Sequence, residues 1–114
     1  MDNNQTALNS VFHALADPTR RAVIQQLGQG AATVSDLAEP FDMALPSFMK
    51  HIGVLEASGL IASKKVGRVR TCKIKQKKMA AAETWFNEQR TLWEERLDRF
   101  EAHLTKVKKA KSND

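Results

Sequence analysis

Apolar residues recur every three or four positions near the start of the chain, where Leu8, Val11, Phe12 and Leu15 share one side of a helix predicted over about residues 5–16. The pattern breaks at Asp17 and Pro18. Proline disfavours helical geometry in the residue before it, yet suits the first turn of a new helix, where its missing N–H would be unpaired anyway. Asp17 is therefore the expected N-cap of a second helix that turns Ala22, Val23, Ile24 and Leu27 toward a core and stops at Gly28, Gln29 and Gly30. Thr33 followed three positions later by Asp36 has the form of a capping box and opens a short helix carrying Val34, Leu37 and Ala38. Pro40 closes it, Phe41, Asp42 and Met43 make a tight connection, and another helix starts with Pro46 in its first turn. Phe48, Ile52 and Leu55 lie four and three apart on that helix, which ends at Ser58 and Gly59 after about 13 residues, or ~20 Å. Two short helices joined so closely form a helix-turn-helix over about 33–58.

After Gly59 the period shortens to two. Strand-length runs over 60–65 and 69–75 are joined by Val66, Gly67 and Arg68, with Gly67 free to take the positive φ of a tight hairpin. In the second run Val69, Thr71, Lys73 and Lys75 alternate with Arg70, Cys72 and Ile74, and neither face is cleanly apolar. From about 77 to 108 no glycine or proline interrupts a long final helix; a frayed tail is expected over 109–114. Met79, Phe86, Trp93, Phe100 and Val107 are spaced by seven, and Leu97 and Leu104 follow by four, which makes a heptad stripe. Such a stripe suits a seam with a second copy, involving Leu8, Val11, Phe12, Phe86, Trp93, Leu97, Phe100 and Leu104; lining a ligand pocket is the alternative. Glu83 and Arg90 interrupt it, so the helix is expected to dock partly on its own domain and partly on its twin.

A chain of 114 residues is long enough for one domain spanning 1–114. A domain of this size buries only ~65% of the surface its unfolded chain exposes, so a long terminal helix is expected to need a partner chain. The net charge of +5 is unevenly placed. Residues 44–78 hold nine basic side chains against the single acid Glu56, while the remaining residues are net acidic. This segregation is the footprint expected of a surface that meets a polyanion; a solvated face is the plainer alternative. No apolar run is long enough to span a bilayer and the polar start, Met1 to Gln5, is unlike a secretion signal, so a soluble cytoplasmic protein is expected. Cys72 is the sole cysteine, which excludes an internal disulfide and a cysteine-rich metal cluster. No phosphate-binding glycine loop, nucleophile elbow or paired acid and base is present, so an enzyme is not expected.

The order helix, helix, short helix, helix, basic hairpin and striped helix resembles the ArsR/SmtB family of winged helix-turn-helix repressors. The likeness runs from about Val11 to Leu104 and is carried by residues 14–21 at the first helix junction, 46–61 through the fourth helix, and 64–71 in the hairpin. Residues 85–100 further resemble a subgroup with no requirement for metal. Where the family's recognition helix is usually polar, this one has Ala44, Leu45 and Met49; Pro46, Lys50 and His51 match. The family's thiolate site needs Cys-x-Cys on the short helix, and its other site needs an Asp-x-His with later ligands on the last helix. Here 34–39 contains no cysteine, and Glu101 and His103 are followed by no second histidine. Zinc needs three or four ligands, so neither metal nor another cofactor is expected.

The resemblance implies a mainly helical fold with a small β-hairpin, the wing lying over about 60–75, and a long C-terminal dimerisation helix. It implies a homodimer on double-stranded DNA, repressing transcription from an inverted-repeat operator, with no effector identified. Pro46, Ser47, Met49, Lys50 and His51 are the candidate contacts in the major groove, where Met49 and Leu45 can meet thymine methyls. Lys64, Lys65, Arg68 and Arg70 are the candidate wing contacts to the backbone. His51 could instead pack against the preceding helix, and Cys72 suits a small buried hydrophobe better than a redox switch. A non-specific architectural module, or a regulatory subunit recruited by a partner protein, is the alternative function.

Overall fold

In a computed structural model that describes residues 3–112, the break at Pro18 separates α1 (Asn3–Leu15) from α2 (Pro18–Leu27). Asp17 caps α2 as expected, its Oδ2 accepting from the Arg20 N–H at 3.1 Å. Thr33 caps α3 (Val34–Ala38) in the same way, accepting from the Asp36 N–H at 3.1 Å. α4 (Leu45–Ala57) follows after the turn, and its C-terminus closes in a Schellman arrangement. Gly59 at φ +81° lets its own N–H reach the Glu56 carbonyl at 3.0 Å and the Leu60 N–H reach the Leu55 carbonyl at 3.2 Å. Leu60 enters the core there, fully buried.

The hairpin consists of β2 (Ile61–Val66) and β3 (Val69–Ile74), antiparallel, with Val66 opposite Val69 across the turn. Gly67 at φ +61° takes the first central position and Arg68 the second, as in a type II′ turn. The pattern left a third strand unseen. β1 (Ala32–Thr33) pairs antiparallel with β3, so the sheet order is β1-β3-β2 and β3 is central. Two residues carry no readable alternation, which is why periodicity missed it. Placing β3 in the middle also resolves its two faces, because Cys72 is fully buried and Ile74 packs on the core while Val69, Thr71 and Lys73 are exposed.

The contacts divide the chain into two units, Met1–Ala82 and Glu83–Asp114. The first has a core in which Phe48, Ile52 and Leu55 of α4 meet Val11 and Ala14 of α1, Val23 and Leu27 of α2, Leu37 of α3 and Ile61 of β2. Met79 packs on this core and Ala82 is buried in it, both from the start of α5 (Gln76–Ser112). One expected dimer residue is displaced by this packing. Val11 is 1% exposed inside its own domain, Leu8 packs partly against the same core and Phe12 is half-buried, because the single apolar face of α1 covers α2 and α4. The second unit is the rest of α5, where Phe86, Trp93, Leu97, Phe100 and Leu104 are all exposed, Leu97 by 60%, together with Leu92 off the stripe. Residues 109–112, expected to fray, continue the helix with Lys109 and Lys111 in the last turn, where cations suit the negative end of the helix dipole. The expected polar start at Met1 and Asp2 and the last two residues of the tail lie outside the described residues.

At Gly59 a side chain would meet two costs, a left-handed backbone and a Cβ lying 3.0 Å from Lys78 Cγ. Gly59→Ala is expected to lower stability by about 1–2 kcal/mol in urea denaturation, with no loss of helical circular dichroism in the native state.

Candidate nucleic-acid interface

Phe48 and Ile52 hold α4 by one side, and the turn before it is tied to the same core by Phe41, whose ring centroid lies 5.6 Å from that of Phe48. The helix therefore presents its other side outward. Leu45, Pro46, Ser47 and Lys50 are exposed, and Met49 is partly buried against the core. Ala44 provides no side-chain cap and Pro46 no N–H, so the first turn of α4 is held by packing and by the Phe48 N–H bonding the Ala44 carbonyl at 3.1 Å.

Between this turn and the hairpin lies an open groove of about 430 Å³. Its walls are Thr33, Val34 and Ser35 from the start of α3, Leu45 and Met49 from α4, and Lys65, Arg68, Val69 and Arg70 from the hairpin. Lys64, Lys65 and Arg68 are exposed and form no ion pair among the described residues. Their charge is available to an anion.

Arg70, expected beside them, is engaged elsewhere. Its Nη1 donates to Glu56 Oε1 at 3.3 Å and to Ser63 Oγ at 3.2 Å, and the Ser63 hydroxyl donates to the same Glu56 oxygen at 2.5 Å. Glu56, the one acid in the basic stretch, thus neutralises Arg70 and ties both hairpin strands to the C-terminal end of α4. The lone acid was visible in the sequence; its partner was not. Beneath it, burial first and then the Glu56 carboxylate push the Cys72 thiol up against the opposing pull of Arg70, and the net rise keeps the buried sulfur in its protonated, unreactive form.

His51 is half-buried, with its Nδ1 facing the α1–α2 junction rather than the preceding helix. Its Nδ1 lies 3.1 Å from Arg20 Nη1 and 3.7 Å from Asp17 Oδ2. Arg20 also donates from Nε to the Ala14 carbonyl at 2.7 Å and from Nη2 to the His13 carbonyl at 3.0 Å, while Arg21 donates to the Leu15 carbonyl at 2.8 Å. These two arginines bond carbonyls at the C-terminus of α1, where the His13 carbonyl also accepts from the Ala16 N–H at 3.2 Å. Both arginines lie in the 14–21 motif, but sequence reasoning assigned neither of them a role. Asp17 is pushed up by burial, but the Arg20 N–H, the His51 ring, the Arg20 guanidinium and the Thr19 N–H together hold its carboxyl below the usual range. Among the described residues no three His, Cys, Asp or Glu side chains gather into a metal-sized cluster, and no helix is long and apolar enough to cross a membrane.

Residues 15–64, which span α2 to the middle of β2, match a helix-turn-helix domain family. The transcriptional repressor SdpR of Bacillus subtilis is 36% identical over 61 residues, covering 54% of this chain and 68% of that protein. A crystal structure of an ArsR family transcriptional regulator is 60% identical, with a TM-score of 0.78, covering 82% of this chain and 97% of that one. The solution structure of a homodimeric winged helix-turn-helix DNA-binding domain from Mycobacterium bovis, at 19% identity and a TM-score of 0.58 over 87% of this chain and 93% of its own, shares the fold.

The depressed Asp17 carboxyl gives a pH signature. Ionised Asp17 stabilises the folded chain, so its contribution is complete above the unfolded value of about 3.9 and fades as pH falls through the lower folded value. Asp17→Ala is expected to cost about 1 kcal/mol near neutral pH in urea titrations, with the gap to the parent chain closing in strong acid. A gap that persists unchanged at the lowest pH would contradict the assignment.

Proposed function

The chain belongs to the ArsR family of winged helix-turn-helix transcriptional regulators, and on that footing we propose a homodimeric repressor that reads an inverted-repeat operator through the major groove and does not sense metal. The observation that carries this reading is the exposed first half of α4 beside three unpaired cations of the hairpin, Lys64, Lys65 and Arg68. Ser47 and Lys50 supply polar and charged groups for base edges and phosphate, and Leu45 and Met49 supply apolar contact for thymine methyls. β2, β3 and their turn act as the wing against backbone phosphate. Arg70 braces the wing on α4 and adds no free charge of its own.

The exposed stripe of α5 supports pairing with a second copy. Trp93, Leu97, Phe100 and Leu104 at heptad spacing are apolar area that a single chain leaves in water. Two recognition helices would then meet successive major grooves about 34 Å apart. Absence of metal sensing is supported by the missing Cys-x-Cys at 34–39 and the lack of a second histidine after His103. Blocking a promoter by occupancy is the mode of repression this arrangement suits. The apolar substitutions at Leu45 and Met49 favour one competing reading, a non-specific architectural module.

Gel shifts with the chain's own upstream DNA separate the two readings. The parent chain is expected to keep its complex against excess random DNA and to lose about 10³–10⁵ in affinity between 50 and 200 mM salt. Ser47→Ala combined with Lys50→Ala is expected to remove the sequence preference; equal competition of the parent complex by random DNA would favour the architectural module instead. For the seam, Leu97→Glu is expected to turn a dimer into a monomer in analytical ultracentrifugation, and an unchanged dimer would sink that assignment.

A further inference from the structure

Arg20 lies in the first turn of α2, and its guanidinium joins two carbonyls of the α1 terminus, those of Ala14 and His13, to the imidazole of His51 on α4. A guanidinium carries only N–H donors and keeps its proton in folded proteins. Nδ1 of His51, 3.1 Å from Arg20 Nη1, must therefore accept, which leaves the ring proton of neutral His51 on Nε2. The competing partner is the Asp17 carboxylate, which would need a proton on Nδ1. Its oxygen is 3.7 Å away, beyond hydrogen-bond range. The two carbonyl bonds hold the guanidinium in place, at 2.7 and 3.0 Å. Nε2 has no partner among the described residues, the side chain keeps 21% exposure, and Ser47, one turn earlier along the same side of α4, is exposed.

We infer that Arg20 is a positioning residue for DNA binding: it locks His51 in the Nε2–H form and so presents a hydrogen-bond donor to an acceptor atom on DNA. The inference rests on α4 being the DNA-binding helix. In the opposite tautomer Nε2 would turn a lone pair toward a polyanion whose backbone offers acceptors, and the contact would be lost. Arg20 acts through His51, touching no DNA itself. The α1–α2 junction thereby sets a hydrogen-bonding property of the recognition helix, one element away.

Nitrogen-15 NMR of histidine-labelled protein above about pH 8, past the ordinary histidine range, reads the ring directly. The resonances that disappear in His51→Gln identify His51, which is expected to show an unprotonated Nδ1 and a protonated Nε2; Arg20→Met is expected to abolish that preference. A protonated Nδ1 in the parent chain overturns the inference. A DNA-binding cycle provides the second readout. Arg20→Met is expected to weaken operator binding about three- to tenfold in the parent chain but hardly at all in His51→Gln, whose amide donor sits near the Nε2 position without needing Arg20. Equal losses in both backgrounds overturn the inference. Should Arg20→Met fail to fold, Arg20→Lys, which keeps a cation and loses the fork, replaces it in the same cycle. If the parent chain forms no sequence-preferring DNA complex, the DNA reading falls and this inference with it, whereas a normal parent complex with equal losses removes the inference alone.

Discussion

Burial of one face of α4 is the constraint on which the interface depends. Phe48, Ile52 and Leu55 are fully buried, and each large apolar side chain taken from water contributes about 1.5–3 kcal/mol. Rolling the helix about its axis would return some of that area to solvent, so its outward residues are fixed as firmly as its inward ones. Ser47 and Lys50 owe their exposure to this, and the Phe41–Phe48 contact extends the same restraint to the preceding turn.

Polar groups refine what the core sets. At the middle of α4 the Asp17, Arg20 and His51 cluster ties the helix to the α1–α2 junction; toward its C-terminal end Glu56, Ser63 and Arg70 tie it to the hairpin. Both clusters are partly exposed, and ion pairs in such settings contribute roughly 0.2–1 kcal/mol. Their weight is therefore in orientation. Each holds a neighbouring element at a fixed place on α4, and each takes a charged group out of the pool that a DNA backbone could meet.

The two candidate dimer segments differ for a similar reason. Val11 was available on paper, but α1 has one apolar face and α2 and α4 cover it. The stripe on α5 from Phe86 to Leu104 remains in water within a single chain. It is the apolar surface that the proposed pairing with a second copy would cover.

Helical and strand periodicity, with caps at Asp17 and Thr33 and stops at Gly59 and Gly67, was enough to place the five helices and the hairpin, because those signals are local. Segregation of basic charge into residues 44–78 likewise pointed to α4 and the wing as the surface expected to meet an anion. Three features were decided by the tertiary structure: the two-residue β1, the neutralisation of Arg70 by Glu56, and the engagement of His51 by Arg20, 31 positions earlier in the chain. Each depends on residues distant in sequence meeting at about 3 Å. Composition and spacing state which donors and acceptors exist, and only the packing of α4 against α2 and the sheet determines which of them are already spoken for.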